Sequence, residues 1–208
     1  MTANANASIK APALPTRYEP TAALGKGGAG EVWAVRDRIS GRTVALKALG
    51  EGGDEREVMA LVREAAALSG VEGLGVPRVL RFGRLPGSGR PYLVRELVEG
   101  TSLADLIERG SKAKATDDPL LRPAAWLAAI AGAADQLTRL HRALLLHGDV
   151  KPANLIVGPD GRATLVDLGL AAPWRDGGVR PEGLTPRYAA PELFDGAPLT
   201  VRVEVFAL

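Results

Sequence analysis

His147-Gly-Asp149-Val-Lys151-Pro-Ala-Asn154, followed thirteen residues later by Asp167-Leu-Gly169, is the stretch on which the reading of this chain turns. Between its two parts lie Leu155-Ile156-Val157 and Ala163-Thr164-Leu165-Val166. These short apolar runs predict two strands, joined at Asp160-Gly161 by a strong two-residue hairpin turn. Asp149 and Asn154 then precede one strand, and Asp167 follows its partner. Taken singly, each aspartate reads as a turn residue and Asn154 as a cap. The joint spacing argues against that bland reading.

Working towards the N-terminus, apolar residues recur at Trp126, Ile130, Ala133, Leu137 and Leu140, which predicts a helix over 123–142 with one buried stripe. Residues 110–122, with Gly, Ser, Lys, Asp and Pro, predict a loop. Thr101 or Ser102 could cap a helix beginning at Leu103. Two strands are expected over 79–83 and 91–97, joined by the glycine-rich stretch 86–90. Val58, Leu61, Ala65 and Leu68 recur at steps of three and four and predict a helix over 55–68. It is preceded by a flexible break at 50–54 and ended by the stretch 70–77. Three short strands are expected within 18–49.

Candidate binding groups sit on this scaffold. Gly25, Gly27 and Gly30 let a strand turn sharply and bring backbone N–H groups near phosphate oxygens. Such a glycine pattern is weak alone. Here it stands between two strands, which counts against a dinucleotide fold. Val32, just beyond, could lie against a flat base. Lys47 follows Val44-Ala45-Leu46, a strand that would carry its ammonium to a cleft; otherwise it is a solvated strand-end lysine. Glu64 lies on a helix whose other face is apolar. A Lys47–Glu64 ion pair would hold the ammonium in place, since buried charges need partners. Glu57 is the rival carboxylate.

Composition sets outer bounds. The 208 residues include 46% apolar and 24% charged residues, as in a folded globular chain, with a formal charge of only +2. No dense basic run supports nucleic-acid binding. Cysteine is absent, which excludes disulfides and thiolate chemistry and fits a reducing cytosol. The two histidines have no metal-ligand spacing. No apolar run reaches membrane-spanning length, and residues 1–17 lack the pattern of a signal peptide.

Taken in order, Gly25 to Val32, Val44 to Lys47, Glu64, His147 to Asn154, Asp167 to Gly169 and Ala190-Pro-Glu192 resemble the eukaryotic-like (bacterial-type) serine/threonine protein kinase catalytic domain, from about Tyr18 to Leu208. The resemblance implies an α+β, bilobal protein-kinase-like fold: a small antiparallel-sheet lobe with one helix, and an incomplete, mainly helical large lobe. Residues 1–17 would be a flexible tail, 18–98 the small lobe and 99–208 the partial large lobe. ATP and Mg²⁺ are the implied cofactors, a protein serine or threonine the implied acceptor, and the cytoplasm the expected location.

The same resemblance assigns roles. Asp149 steers the proton of the incoming hydroxyl, Lys151 steadies the transferring phosphoryl group, and Thr185 bonds to both. Lys47 and Glu64 pair to hold the α- and β-phosphates. Asn154 and Asp167 are the implied metal ligands. A multiply anionic group in transfer needs cations around it and a carboxylate behind the nucleophile. Gly25, Gly27, Gly30, Val32, Ala45, Lys47, Glu96, Val98 and Leu155 are the implied nucleotide contacts, with Val44 beside them. Arg95, a long charged side chain, stands at the back of that pocket, where an apolar residue would be ordinary. His147 is expected in the core without a proton-transfer role, and His141 at a helix surface or packed at the helix end.

Departures from the pattern carry information. Gly148 replaces the arginine that commonly receives the phosphate of an activated loop, and 171–184 contains no Ser, Thr or Tyr. Glu204 stands where an aspartate commonly anchors the catalytic-loop backbone, with one more methylene. The end at Leu208 is expected to leave part of the 123–142 stripe exposed, for a partner or further chain to cover. A nucleotide-binding pseudokinase or scaffold is the alternative. A small-molecule kinase of the aminoglycoside or choline type is disfavoured by Lys151-Pro and by Gly183 to Glu192.

Overall fold

The computed structural model describes residues 12–27, 30–50, 53–113 and 117–208. Parts of the expected tail (1–11), glycine turn (28–29), break (51–52) and loop (114–116) lie outside the described residues. Two compact units divide the chain, one formed by residues 1–61 and 80–97, the other by 62–79 and 98–208.

The first unit is built on a five-stranded antiparallel sheet. Its strands are β1 (Tyr18–Gly27), β2 (Gly30–Asp37), β3 (Thr43–Ala48), β4 (Val79–Arg84) and β5 (Pro91–Glu96), in the order β1-β2-β3-β5-β4. The aromatic and β-branched residues of these strands form one core: Tyr18, Trp33, Val35, Val44, Leu46, Tyr92 and Val94 are all buried. β3 is central and buried throughout except at Thr43, so Lys47 is only 5% exposed. Residues 12–17, expected within the tail, are engaged. Leu14 packs against the sheet core, and Arg17 bonds in a bidentate manner to Asp37, both contacts at 2.7 Å.

Helix α1 (Glu55–Gly70) joins the units, with residues up to Leu61 in the first and from Val62 in the second. Its start is a capping box: Asp54 accepts from the Glu57 N–H at 2.9 Å, and Glu57 accepts from the Asp54 N–H at 3.0 Å.

In the second unit, Ser102 ends the two-residue strand β6 (Thr101–Ser102) and caps α2 (Leu103–Lys112) by accepting from the Asp105 N–H. α3 (Pro123–Arg142) follows, then β7 (Leu145–Leu146), β8 (Leu155–Val157), β9 (Ala163–Leu165), β10 (Ala172–Pro173) and α4 (Val201–Phe206). β6, β8 and β9 form one small sheet; β7 pairs with β10.

Three expectations change. The stretch 110–122 is not all loop. α2 runs through Gly110 to Lys112, helped by a Glu108–Lys112 pair at 2.5 Å, and Pro119–Leu121 forms a 3₁₀ turn capped by Asp118. Gly110 is there for space: a Cβ would lie 2.5 Å from the Trp126 ring. The α3 stripe is rotated, with Ala129, Ala133, Gln136, Leu137 and Leu140 buried and Trp126 and Ile130 only half-buried. Gln136 belongs to the core because both ends of its amide are used. Its Nε2 donates to the Gly75 carbonyl, and its Oε1 accepts from the Leu165 N–H at 2.6 Å. The β8–β9 turn is longer than two residues. Gly161 N–H bonds to Gly158 O, Gly158 N–H bonds to Arg162 O, and Gly161 has φ +77°. The chain thus makes a tight turn closed by a glycine bulge.

Candidate active site

The loop from His147 to Asn154 is held mainly through its backbone. His147 is fully buried; its Nδ1 accepts from the Asp149 N–H at 3.3 Å, which leaves the proton on Nε2 to donate to Val166 O at 3.2 Å. Both ring nitrogens are occupied, so this histidine positions the loop. Pro152 opens a 3₁₀ turn, Pro152–Asn154, that delivers Asn154 to the start of β8. Leu155 pairs with Leu165 across the hairpin, and Val166 N–H bonds to Asn154 O at 2.9 Å. This register sets Val166 opposite Asn154, with Asp167 the next residue along the chain. Asp167 has φ +66°, a backbone conformation that costs energy in a non-glycine residue and is concentrated at functional sites.

The Asp149 carboxylate collects three side-chain contacts. Its Oδ1 accepts the Thr185 hydroxyl at 2.7 Å; its Oδ2 lies 2.5 Å from Lys151 Nζ and 3.1 Å from Asn154 Nδ2. The same amide nitrogen also donates to the Asp149 carbonyl at 2.9 Å. Lys151 Nζ further donates to Thr185 Oγ1 at 3.1 Å. A carboxylate, an ammonium and a hydroxyl from two distant chain segments thus form a closed triangle. Beside it opens a recess walled by Leu184, Tyr188, Leu193 and Val203.

Gly148 has φ +83°, and a Cβ there would come within 2.0 Å of Leu170 O. The loop passes so close to the turn after Asp167 that only glycine fits as the chain stands. Its N–H bonds to Glu204 Oε1 at 2.5 Å, while Glu204 Oε2 lies 2.7 Å from His141 Nε2. The longer carboxylate therefore reaches the loop backbone and gains a second partner. It is 2% exposed, and His141, at the end of α3, is packed rather than solvated. No local pattern announces this pair, because its members are 63 positions apart.

The remaining site residues are placed within their own units. In the first, Gly27 pairs with Gly30 at the β1–β2 turn. Gly30 has φ +111°, and a Cβ there would meet Ala48 O at 2.3 Å; around Gly25 the space is open. Val32 pairs with Lys47, and Val44 with Glu96. Ala45 is buried, as is Arg95 on β5. In the second unit, Glu64 is fully buried and Leu155 nearly so, while Val98 follows β5 at the border between the units.

The sheet unit, the β8–β9 hairpin with its flanking acidic residues, and the Asp149–Lys151–Thr185 triangle define a protein kinase domain. Residues 18–208 match the family described as "Protein kinase domain", and the chain belongs to that family. It is 31% identical over 199 residues to the DNA damage-responsive serine/threonine-protein kinase RqkA of Deinococcus radiodurans, covering 94% of this chain and 29% of that protein. To the serine/threonine-protein kinase PkaB of Streptomyces coelicolor it is 34% identical over 210 residues, covering 94% and 47%. To the serine/threonine-protein kinase PknD of Mycobacterium tuberculosis the identity is 30% over 196 residues, covering 92% and 28%. The chain thus spans less than half the length of these relatives.

Proposed function

We propose that this chain transfers the γ-phosphate of ATP to serine or threonine hydroxyls of proteins, with Mg²⁺ as the metal. The observation that carries this reading is the closed triangle of Asp149, Lys151 and Thr185. Asp149 is oriented by donors on both of its oxygens, so an incoming hydroxyl approaching beside the Thr185 hydroxyl would find an acceptor already aimed. Its carboxylate would receive that hydroxyl's proton. Lys151, whose ammonium bridges Asp149 and Thr185, would turn its charge to the phosphoryl oxygens. Thr185 would tie the acceptor-binding segment to the loop. The apolar recess next to the triangle supports a peptide acceptor over a small polar alcohol.

The residues present fit a magnesium–nucleotide pair. Asn154 spends its amide nitrogen on Asp149, which leaves its carbonyl oxygen for a hard cation; Asp167 supplies a carboxylate beside it. Among the described residues no cluster of three His, Cys, Asp or Glu could hold a metal. That suits an ion which completes its shell with water and phosphate. Bound Mg²⁺–ATP would supply the electrophilic phosphorus and its leaving group. For the nucleotide we propose Gly25, Gly27 and Gly30 as backbone phosphate contacts. Val32, Ala45 and Leu155 would be apolar contacts, and Glu96 and Val98 backbone contacts to the base. Lys47, paired with Glu64, would serve the α- and β-phosphates. Open space at Gly25 supports a close-lying ligand there. Among the described residues no helix is long and apolar enough to cross a membrane; the cytoplasm, where ATP is held, is the proposed location.

The test is transfer of labelled γ-phosphate from Mg²⁺–ATP to the chain itself and to a basic Ser/Thr-containing protein, with Asp149→Asn alongside. Label on Ser or Thr that disappears in the variant is expected. Nucleotide binding by the folded chain with no transfer to any protein would overturn the kinase reading in favour of a nucleotide-binding scaffold.

A further inference from the structure

Arg63 precedes Glu64 on α1 and reaches the chain segment that follows Asp167 at two separate points. Its Nε donates to Gly169 O at 3.4 Å, and its Nη1 lies 3.6 Å from Glu182 Oε2. One guanidinium therefore holds the start and the far end of the stretch 169–182. Backbone pairing holds the middle. Ala172 and Pro173 pair with Leu146 and Leu145, and Val179 exchanges hydrogen bonds of 3.0 and 2.7 Å with Leu199. Nothing in that stretch can be phosphorylated, since 170–182 contains no Ser, Thr or Tyr. The residue before Asp149 is a glycine that could not receive a phosphate. The negative charge that pairs with Arg63 here, the Glu182 carboxylate, is genetically encoded.

We propose that Glu182 and Arg63 form a permanent charge clamp. In it Arg63 is a positioning residue that fixes the Asp167–Gly169 turn against the helix carrying Glu64, without any added phosphate. One hydrogen-bonding arm and one ion-pairing arm on one planar guanidinium suit this use, because the fork sets two acceptors at fixed relative geometry. Glu182 is more than half exposed, so the clamp contributes little to global stability. Its effect is local: it sets the fraction of time in which the segment stays closed on α1. Unlike a switch that needs a second enzyme, the clamp responds to ionic strength, because an exposed pair is screened by salt.

The test uses the whole 208-residue chain and two readouts. The first is amide hydrogen exchange across 168–184 in the wild type, Glu182→Gln, Glu182→Asp and Arg63→Ala. Glu182→Gln keeps the shape and removes the charge; we expect about two- to fivefold faster exchange there, the range of an exposed ion pair. Glu182→Asp should recover part of the protection. Raising ionic strength from about 0.1 to about 1 M shortens the screening length from about 10 to about 3 Å. It should speed exchange in the wild type and leave Glu182→Gln unchanged. Arg63→Ala, which also loses the Gly169 bond, should show the largest effect. The second readout is the phosphoryl-transfer rate, which should fall by similar factors and in the same order. This kinetic arm rests on the kinase reading proposed above, whereas the exchange arm does not. A wild type that transfers no phosphate but shows the salt-sensitive protection would sink that reading and leave the clamp standing. Exchange in Glu182→Gln indistinguishable from wild type at both salt levels would overturn the clamp.

Discussion

Two carboxylates, Asp37 in the sheet unit and Asp149 in the second unit, each face a cation at hydrogen-bond distance, yet they are bonded for different ends. Asp37 is closed on all sides. Arg17 takes both oxygens, Ser40 Oγ donates at 2.8 Å, and the Ile39 N–H at 3.1 Å. Those donors, Arg17 first, hold its carboxyl well below the usual carboxylate range despite the opposing effect of burial. The partners come from the β2–β3 turn and from the residue before β1, and none would be released by a ligand. Asp149 is held instead by the Thr185 hydroxyl, the Asn154 amide and the Lys151 ammonium; on the proposed reading its carboxylate would accept a substrate hydroxyl while Lys151 turned its charge to the phosphoryl oxygens. A short ion pair in a structure is therefore not in itself a sign of chemistry. On the proposed reading, what would distinguish the working one is that its partners can make room for a substrate.

The largest effect should follow from Asp149→Asn. Transfer to protein should drop by about 10²–10⁴-fold, the range of a lost general base, with little change in the thermal midpoint. Asp37→Asn should do the reverse, leaving transfer at neutral pH near wild type. If both variants lost activity equally, the contrast drawn between the two carboxylates would be broken.

Next comes Glu204. Glu204→Ala strips two partners at once, the Gly148 N–H and His141, in a buried place. A loss of about 1–3 kcal/mol of stability is expected for a buried group left without its partner. Transfer should also fall as the loop before Asp149 loses its anchor. Glu204→Asp sharpens the point: if the shorter carboxylate keeps the Gly148 bond but cannot span to His141, activity should outlast stability. Denaturant melts beside kinetic assays would separate the two. Gln136→Leu should cost a similar or smaller amount, since the Gly75 carbonyl and Leu165 N–H both lose their partner. Here the loss should appear in melts alone.

The smallest effect is on pH dependence. Because the Asp37 carboxyl is held below its ordinary value of about 3.9, its contribution to stability is complete above that pH and is lost as pH falls towards the folded-state value. The wild type and Asp37→Asn should differ in thermal midpoint at neutral pH and converge in acid. Equal midpoints at all pH values would show that the Arg17–Asp37 pair contributes nothing measurable.

How much of this was legible in the sequence follows the distance over which each feature is specified. The strands β8 and β9, the start of α2 at Leu103 and the span of α3 depend on neighbours within a few residues, so the residues announce them. The order of motifs carried the family because each motif is a short local stretch with its own side-chain chemistry. What could not be read are groups whose reason lies far along the chain. Gln136 looks like a polar break in an apolar face until Gly75 and Leu165 supply its partners. Gly110 looks like a helix end until the Trp126 ring fills the space beside it. His141 reads equally as a surface residue or as packed at the helix end until Glu204 arrives from α4. Long-range polar pairing leaves no periodicity to find, and that is where sequence reasoning stopped.

Gly148 bears on the history open to this chain. With φ +83° and the Leu170 carbonyl 2.0 Å from where a Cβ would sit, no single codon change can install a phosphate-sensing arginine before Asp149 without first moving the turn at Leu170. Phosphate-dependent control would therefore have to evolve in at least two coordinated steps, and the intermediate would carry a strained loop beside the proposed catalytic residue Asp149.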